Sequence, residues 1–251
     1  MNTARPVTIV TGASRGMGRA LAELLLQRGH RLLTLQRQPT EQPLPAGAEL
    51  QAWAVDLADP LPVARDLQAW IAALLPVQVS SLTLINNAAL LVEPGPLAGA
   101  DLASVSRATR ASLEAPLLLT AAFLRASAAF DVPRKVLNIS SGLGRHAMAG
   151  SAVYCADKAG MDHFSRAVAL EESARANGAA IVSLAPGIVD TDMQVQLRSA
   201  DATAFPESRR FAEYKAGGRL DSPRAAAEKL LAYLERPDFG RKVVADVRDP
   251  D

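Results

Sequence analysis

The sequence predicts a single α/β domain over residues 1–251: a doubly wound parallel sheet of about seven strands with helices on both faces. Three observations predict it. Apolar, strand-length runs alternate with helical patterns along the chain. The runs are nearly continuously apolar, as strands covered on both faces are. The first run enters the first helical pattern through Thr11-Gly12-Ala13-Ser14-Arg15-Gly16-Met17-Gly18. That is strand, glycine turn, helix, the context in which such a motif marks a dinucleotide site.

The strands are expected at residues 7–11, 31–36, 50–55, 82–86, 135–140, 180–184 and 242–245, and the helices at 18–28, 62–75, 102–130, 152–176 and 223–234. Between the second and third strands, Pro39, Pro43 and Pro45 argue against a helix, so this crossover is expected to be extended. The stretch 115–130 is apolar nearly all round, with Leu118 and Phe123 among its residues. A helix with no polar face is buried. The sheet covers one side, which leaves the other for a second copy of the chain. Residues 192–220 carry mixed charge, Gly217-Gly218 and scattered aromatics, and are expected to form a long irregular substrate loop. Asp221-Ser222-Pro223 marks a helix start, with an aspartate or serine cap and proline in the first turn.

Bulk properties exclude several classes. With 49% hydrophobic residues, 251 residues can bury one large core. A net charge of +1 makes no electrostatic case for nucleic acid or a membrane surface. The single cysteine, Cys155, excludes an internal disulfide and fits a reducing compartment. His30, His146 and His163 have no metal-ligand spacing, so no metal site is expected. No signal-like or membrane-length apolar run is apparent, so a cytoplasmic protein is expected.

Glycine is needed in the turn because a phosphate must approach the backbone closely and some residues must take φ > 0. The helix that follows offers free N–H groups and the positive end of its dipole to a pyrophosphate. A second constellation strengthens the motif. Tyr154 and Lys158 stand four residues apart, and Ser141 (or its neighbour Ser140) ends an apolar run thirteen residues before the tyrosine. Positions i and i+4 share a helix face. The ammonium can then lower the pKa of a phenol that is otherwise a poor acid–base catalyst at pH 7.

Together with Asn86-Asn87-Ala88-Ala89 after a strand and Pro186-Gly187 after a later one, these motifs resemble the short-chain dehydrogenase/reductase family. The resemblance runs from about Val7 to Val247. It implies a Rossmann fold and hydride exchange between a nicotinamide cofactor and a carbonyl. It implies that Tyr154 is the general acid, that Lys158 lowers its pKa and holds the nicotinamide ribose, and that Ser141 steadies the substrate oxygen. Gly12, Ser14, Gly16, Met17, Gly18, Asn87 and Ala88 would line the cofactor; Pro186, Gly187, Ile188 and Thr191 would meet the nicotinamide, and Asp56 and Leu57 the adenine. The family's proton-relay asparagine is absent, and Ser112 takes its place. Homodimers or homotetramers are common in the family.

Strand two ends in Gln36, where an NAD enzyme usually places an acid, and Arg37 follows; with Arg15 in the turn this pattern suits the 2′-phosphate of NADP(H). The C-terminal third resembles the sepiapterin reductase and benzil reductase branch, implying a small-molecule substrate of vicinal dicarbonyl type. There Met193 would face substrate, and Asp246 (or nearby Asp249) would anchor a pterin ring. Two alternatives remain: reduction of a 3-oxoacyl or other ketone, and NADP sensing without turnover. The intact Ser141/Tyr154/Lys158 set speaks against the second.

Overall fold

The structure is a computed structural model and describes residues 4–38 and 44–249. At its centre is a seven-stranded sheet. In chain order the strands are β1 (Arg5–Thr11), β2 (Arg31–Gln36), β3 (Glu49–Ala54), β4 (Val79–Asn86), β5 (Arg134–Ile139), β6 (Ala180–Ala185) and β7 (Val244–Asp246). All pair in parallel, in the order β3-β2-β1-β4-β5-β6-β7. Winding reverses between β1 and β4, so the connections leaving their carboxyl ends diverge and open a crevice.

Eight α-helices are described: α1 (Gly16–Gln27), α2 (Pro60–Ala72), α3 (Leu102–Thr109), α4 (Ala115–Ser127), α5 (Ala152–Ser173), α6 (Asp192–Ser199), α7 (Ser208–Ala216) and α8 (Pro223–Leu234). One core lies under α2, α4 and α5, around Ile9, Leu33, Leu84 and Val136. A second lies on the opposite face under α1 and α8, around Val10, Leu32, Ile85 and Leu184. Neighbours in a strand point to opposite faces, which is why Ile9 and Val10 serve different cores. Each such side chain contributes about 1.5–3 kcal/mol of transfer free energy.

Four expectations change. The strand β3 is not doubly buried: Glu49, Gln51, Ala52 and Ala54 are exposed at the sheet edge. The long central helix is interrupted, because a π-helical turn over Arg110–Glu114 joins α3 to α4. Much of the apolar girth of α4 is covered within the chain. Phe123 is 0% exposed and Leu118 packs against the core, with α2 alongside. Phe123 therefore cannot meet a second copy of the chain. Lastly, the segment expected to be irregular holds α6 and α7. Their buried Leu197, Phe205 and Phe211 form a small cluster of their own. In the β2–β3 crossover, residues 44–48 contain a turn and no helix; Pro39 and Pro43 lie outside the described residues.

Candidate active site

A cavity of about 570 Å³ opens along the carboxyl ends of the strands. One end is walled by the glycine turn. Gly12 takes φ +70°, and a Cβ at Gly18 would lie 2.1 Å from the Gly12 carbonyl oxygen, so that position has room only for glycine. The turn is held from across the crevice. Asn87 donates from Nδ2 to the carbonyls of Thr11 (2.9 Å) and Gly12 (3.2 Å). The backbone N–H groups of Asn87 and Ala88 both donate to Thr11 Oγ1 at 2.9 Å. Asn87 thus sets the shape of the turn and also lines the cavity.

The structure places Gly12, Ser14, Arg15, Gly16, Met17, Gly18, Arg37, Asp56, Leu57, Asn87 and Ala88 on this wall. Arg15 pairs with Asp192 at 2.7 Å, both side chains being largely exposed. Asp56 accepts hydrogen bonds from the Ala58 N–H (3.0 Å) and from Arg107 (3.1 Å). The Ala58 bond is the main reason its carboxyl sits below the usual range.

The other end brings together Ser141, Tyr154 and Lys158, with Pro186, Gly187, Ile188, Thr191 and Met193 opposite. Tyr154 and Lys158 lie on α5 with the ammonium 5.6 Å from the centre of the phenol ring. Lys158 is 2% exposed and donates to the Ile139 carbonyl at 2.7 Å. Burial pushes its ammonium down to about 8, against the charges of Asp157 and Asp162. Tyr154 does not behave as its spacing to Lys158 suggests. Burial pushes the phenol up to about 12, and the Ser141 hydroxyl only partly opposes this. Desolvation disfavours the phenolate more than the nearby Ser141 hydroxyl stabilises it. The result is a tyrosine that holds its proton at neutral pH.

Two expected site residues are not brought to the cavity. Ser112 is 0% exposed in the π-helical turn. Its hydroxyl accepts from the Leu90 N–H (3.0 Å) and faces the Leu90 carbonyl (3.4 Å). It fixes the loop after β4 and does not face the reacting groups. The Asp246 carboxylate is held by Arg248, with Nε at 2.7 Å and Nη2 at 2.6 Å. Arg248, not Asp246, lines the cavity. The nearby Asp249 is likewise engaged, by Lys242 at 2.8 Å and by the Asp246 N–H at 2.8 Å.

Sequence reasoning assigned residues 192–220 to the substrate without singling out Leu197, Phe211 or Tyr214 as lining residues, and it missed Leu143 and Met148. A signal was present. Met193/Leu197 and Phe211/Tyr214 stand at i,i+4 and i,i+3, the spacing of one helix face.

The profile described as short chain dehydrogenase matches residues 6–202. The chain belongs to that family. It lies near the benzil and sepiapterin reductases. It is 32% identical to a benzil reductase ((S)-benzoin forming) of Bacillus cereus, over 92% of this chain and 94% of the relative. It is 34% identical to sepiapterin reductase of Rattus norvegicus, over 97% and 96%. A solved short-chain dehydrogenase/reductase from Burkholderia vietnamiensis is 34% identical, covers 98% of this chain and 100% of its own, and superposes with a TM-score of 0.62. This protein is thus an oxidoreductase with a fold that binds a nicotinamide cofactor. Among the described residues no helix is long and apolar enough to cross a membrane.

Proposed function

We propose that this protein is an NADP(H)-dependent carbonyl reductase acting on a vicinal dicarbonyl, of benzil type rather than pterin type. The observation that carries the reaction is the convergence of Ser141, Tyr154 and Lys158 on one end of a cavity whose other end is a glycine cradle. The dinucleotide fits that cradle. Gly18 lets the turn pack tightly against the Gly12 carbonyl, and the first turn of α1 offers free N–H groups. When bound, the nicotinamide supplies the hydride.

The chain's own residues do the rest. Tyr154 keeps its proton until the carbonyl oxygen gains charge, then donates it, giving the alcohol. Ser141 donates a hydrogen bond to the same oxygen and stabilises the developing charge. Lys158, fixed by the Ile139 carbonyl, presents a positive charge beneath the phenol and would meet the nicotinamide ribose. Arg37 at the β2 end, with Gln36 where an acid would repel phosphate, favours the 2′-phosphate. Arg15 would share that phosphate on leaving Asp192.

The substrate end is walled by Leu143, Met148, Met193, Phe211 and Tyr214, a surface suited to aromatic rings. Asp246 is engaged by Arg248, so the carboxylate that a pterin's donors would seek is already paired. These two observations favour an aromatic diketone.

The test is NADPH oxidation against benzil, sepiapterin, diacetyl and a 3-oxoacyl thioester. Benzil should give the highest kcat/KM. Turnover of the thioester without the diketones would place the substrate elsewhere in the family. NADPH should beat NADH by about tenfold or more in kcat/KM, and Arg37→Asp should erode that preference. Equal use of the two cofactors by the unmodified enzyme would refute the NADP(H) assignment.

A further inference from the structure

Asp162 is a buried carboxylate for which the reaction above has no use. It lies on α5 one turn beyond Lys158 and is 2% exposed. Its Oδ1 accepts hydrogen bonds from Ser140 Oγ and Ser183 Oγ, both at 2.6 Å. Its Oδ2 lies 3.3 Å from Arg145 Nε, and Arg145 Nη2 donates to the Ala245 carbonyl at 2.9 Å. One carboxylate therefore ties α5 to the end of β5, to β6 and, through Arg145, to β7.

Ser141 sits between two of these ties. Before it, Ser140 is held by Asp162 and by its own N–H to the Leu184 carbonyl at 2.9 Å. After it, Gly144 rests directly on α5. A Cβ there would lie 2.9 Å from Asp162 Oδ2 and 3.0 Å from the Lys158 carbonyl oxygen. The helix that grips the serine segment at both ends is the helix that carries Tyr154 and Lys158. An apolar side chain could cover this face of α5 without the cost of burying a charge. What a carboxylate adds is direction: short, charge-assisted bonds to two hydroxyls.

We propose that Asp162 is a positioning residue for the reduction, holding the chain on both sides of Ser141 so that its hydroxyl faces Tyr154 and Lys158. The proposal rests on the reductase reading above. Besides holding the segment, its charge acts on Lys158 in the same direction as that of Asp157.

The test pairs Asp162→Asn with Ser183→Ala, a residue outside the cavity. Asparagine keeps the shape but loses the charge and one acceptor oxygen. In Asp162→Asn, kcat should fall about tenfold or more, the scale of a small misplacement at the reacting centre. The Kd for NADPH, read by protein fluorescence, and the substrate KM should stay within about twofold. Partial unfolding would instead lower the number of cofactor-binding sites and leave kcat per site unchanged. Ser183→Ala should lower kcat about threefold, and add little to Asp162→Asn, because both act through one contact.

Wild-type kcat per site in Asp162→Asn overturns the proposal, as do single-variant effects that simply multiply. If Asp162→Asn does not fold, wild-type kcat in Ser183→Ala overturns it. The underlying reading fails on a different result. No NADPH-dependent carbonyl reduction by the wild type, or full turnover by Tyr154→Phe, overturns reading and proposal together. An inactive Tyr154→Phe beside a normal Asp162→Asn removes only the positioning role.

Discussion

The two walls of the cavity are built differently. The inner wall, around Ser141 and α5, stands on a buried polar lattice. Asn86 donates to Asn138 at 2.8 Å, Asn138 to Ser165 at 2.9 Å, and Asp162 and Lys158 hold the strand ends. The outer wall, α6 and α7, has only a small cluster beneath it and is tied down by half-exposed or exposed ion pairs: Asp190 with Arg198 (3.2 Å) and Lys215 (2.5 Å), and Arg15 with Asp192. Buried hydrogen-bond networks favour one geometry, whereas surface pairs contribute little. On the proposed function, chemistry falls on the rigid wall, and substrate fit on a wall that can vary without disturbing it.

The sharpest way to break this division is Tyr154→Phe. It keeps the ring and deletes the acid. It should lower kcat by about 10²–10⁴ with cofactor binding retained. Near-normal turnover would mean that the rigid wall does not hold the acid.

Two phenylalanines test the walls against each other. Phe123 and Phe205 are both 0% exposed. Phe123→Ala should cost the whole fold about 3–5 kcal/mol, seen as a large drop in Tm. Phe205 stacks on Phe211 at 6.0 Å between ring centres. Phe205→Ala should instead raise KM and expose residues 192–220 to proteolysis, with a smaller change in Tm. Equal Tm losses would show that the two walls unfold as one.

The pH dependence should come from the rigid wall. Lys158 is held down to about 8 and Tyr154 up to about 12. As pH rises through 8 the ammonium loses its proton while the phenol keeps its own. For reduction, kcat/KM should therefore fall above pH 8, by about tenfold per unit at the limit. A flat profile to pH 10 would show that the ammonium charge is not needed. Lys158 has a corresponding effect on stability. Its pKa is lower folded than unfolded, so the charged form is penalised in the fold. That penalty is full below about 8 and is relieved as pH rises toward the unfolded value of about 10.4.

The smallest effect belongs to the outer wall. Asp190→Asn removes a carboxylate shared by Arg198 and Lys215. It should change Tm and kcat little, with a shift in KM of about twofold or less. A loss comparable to that of Tyr154→Phe would mean the outer wall shapes the reacting centre.

By itself, the sequence determined the sheet, the glycine turn and the Ser141/Tyr154/Lys158 set. Each is a local pattern: apolar runs of strand length, glycines that leave room for a backbone, and a tyrosine and lysine on one helix face. Only the tertiary structure decided what depends on partners distant in the chain. It exposed β3, because an edge strand lacks a neighbour that spacing along the chain cannot reveal. It covered much of α4 with α2. It occupied Ser112 with Leu90 and Asp246 with Arg248, although both matched family positions by alignment. It raised Tyr154 where the spacing to Lys158 argued for lowering, since desolvation is summed over everything packed around the phenol. Asp162 carried no signal for the same reason: its partners come from two separate stretches of the chain, Ser140 and Arg145 from one and Ser183 from another, and meet it only when the sheet has formed.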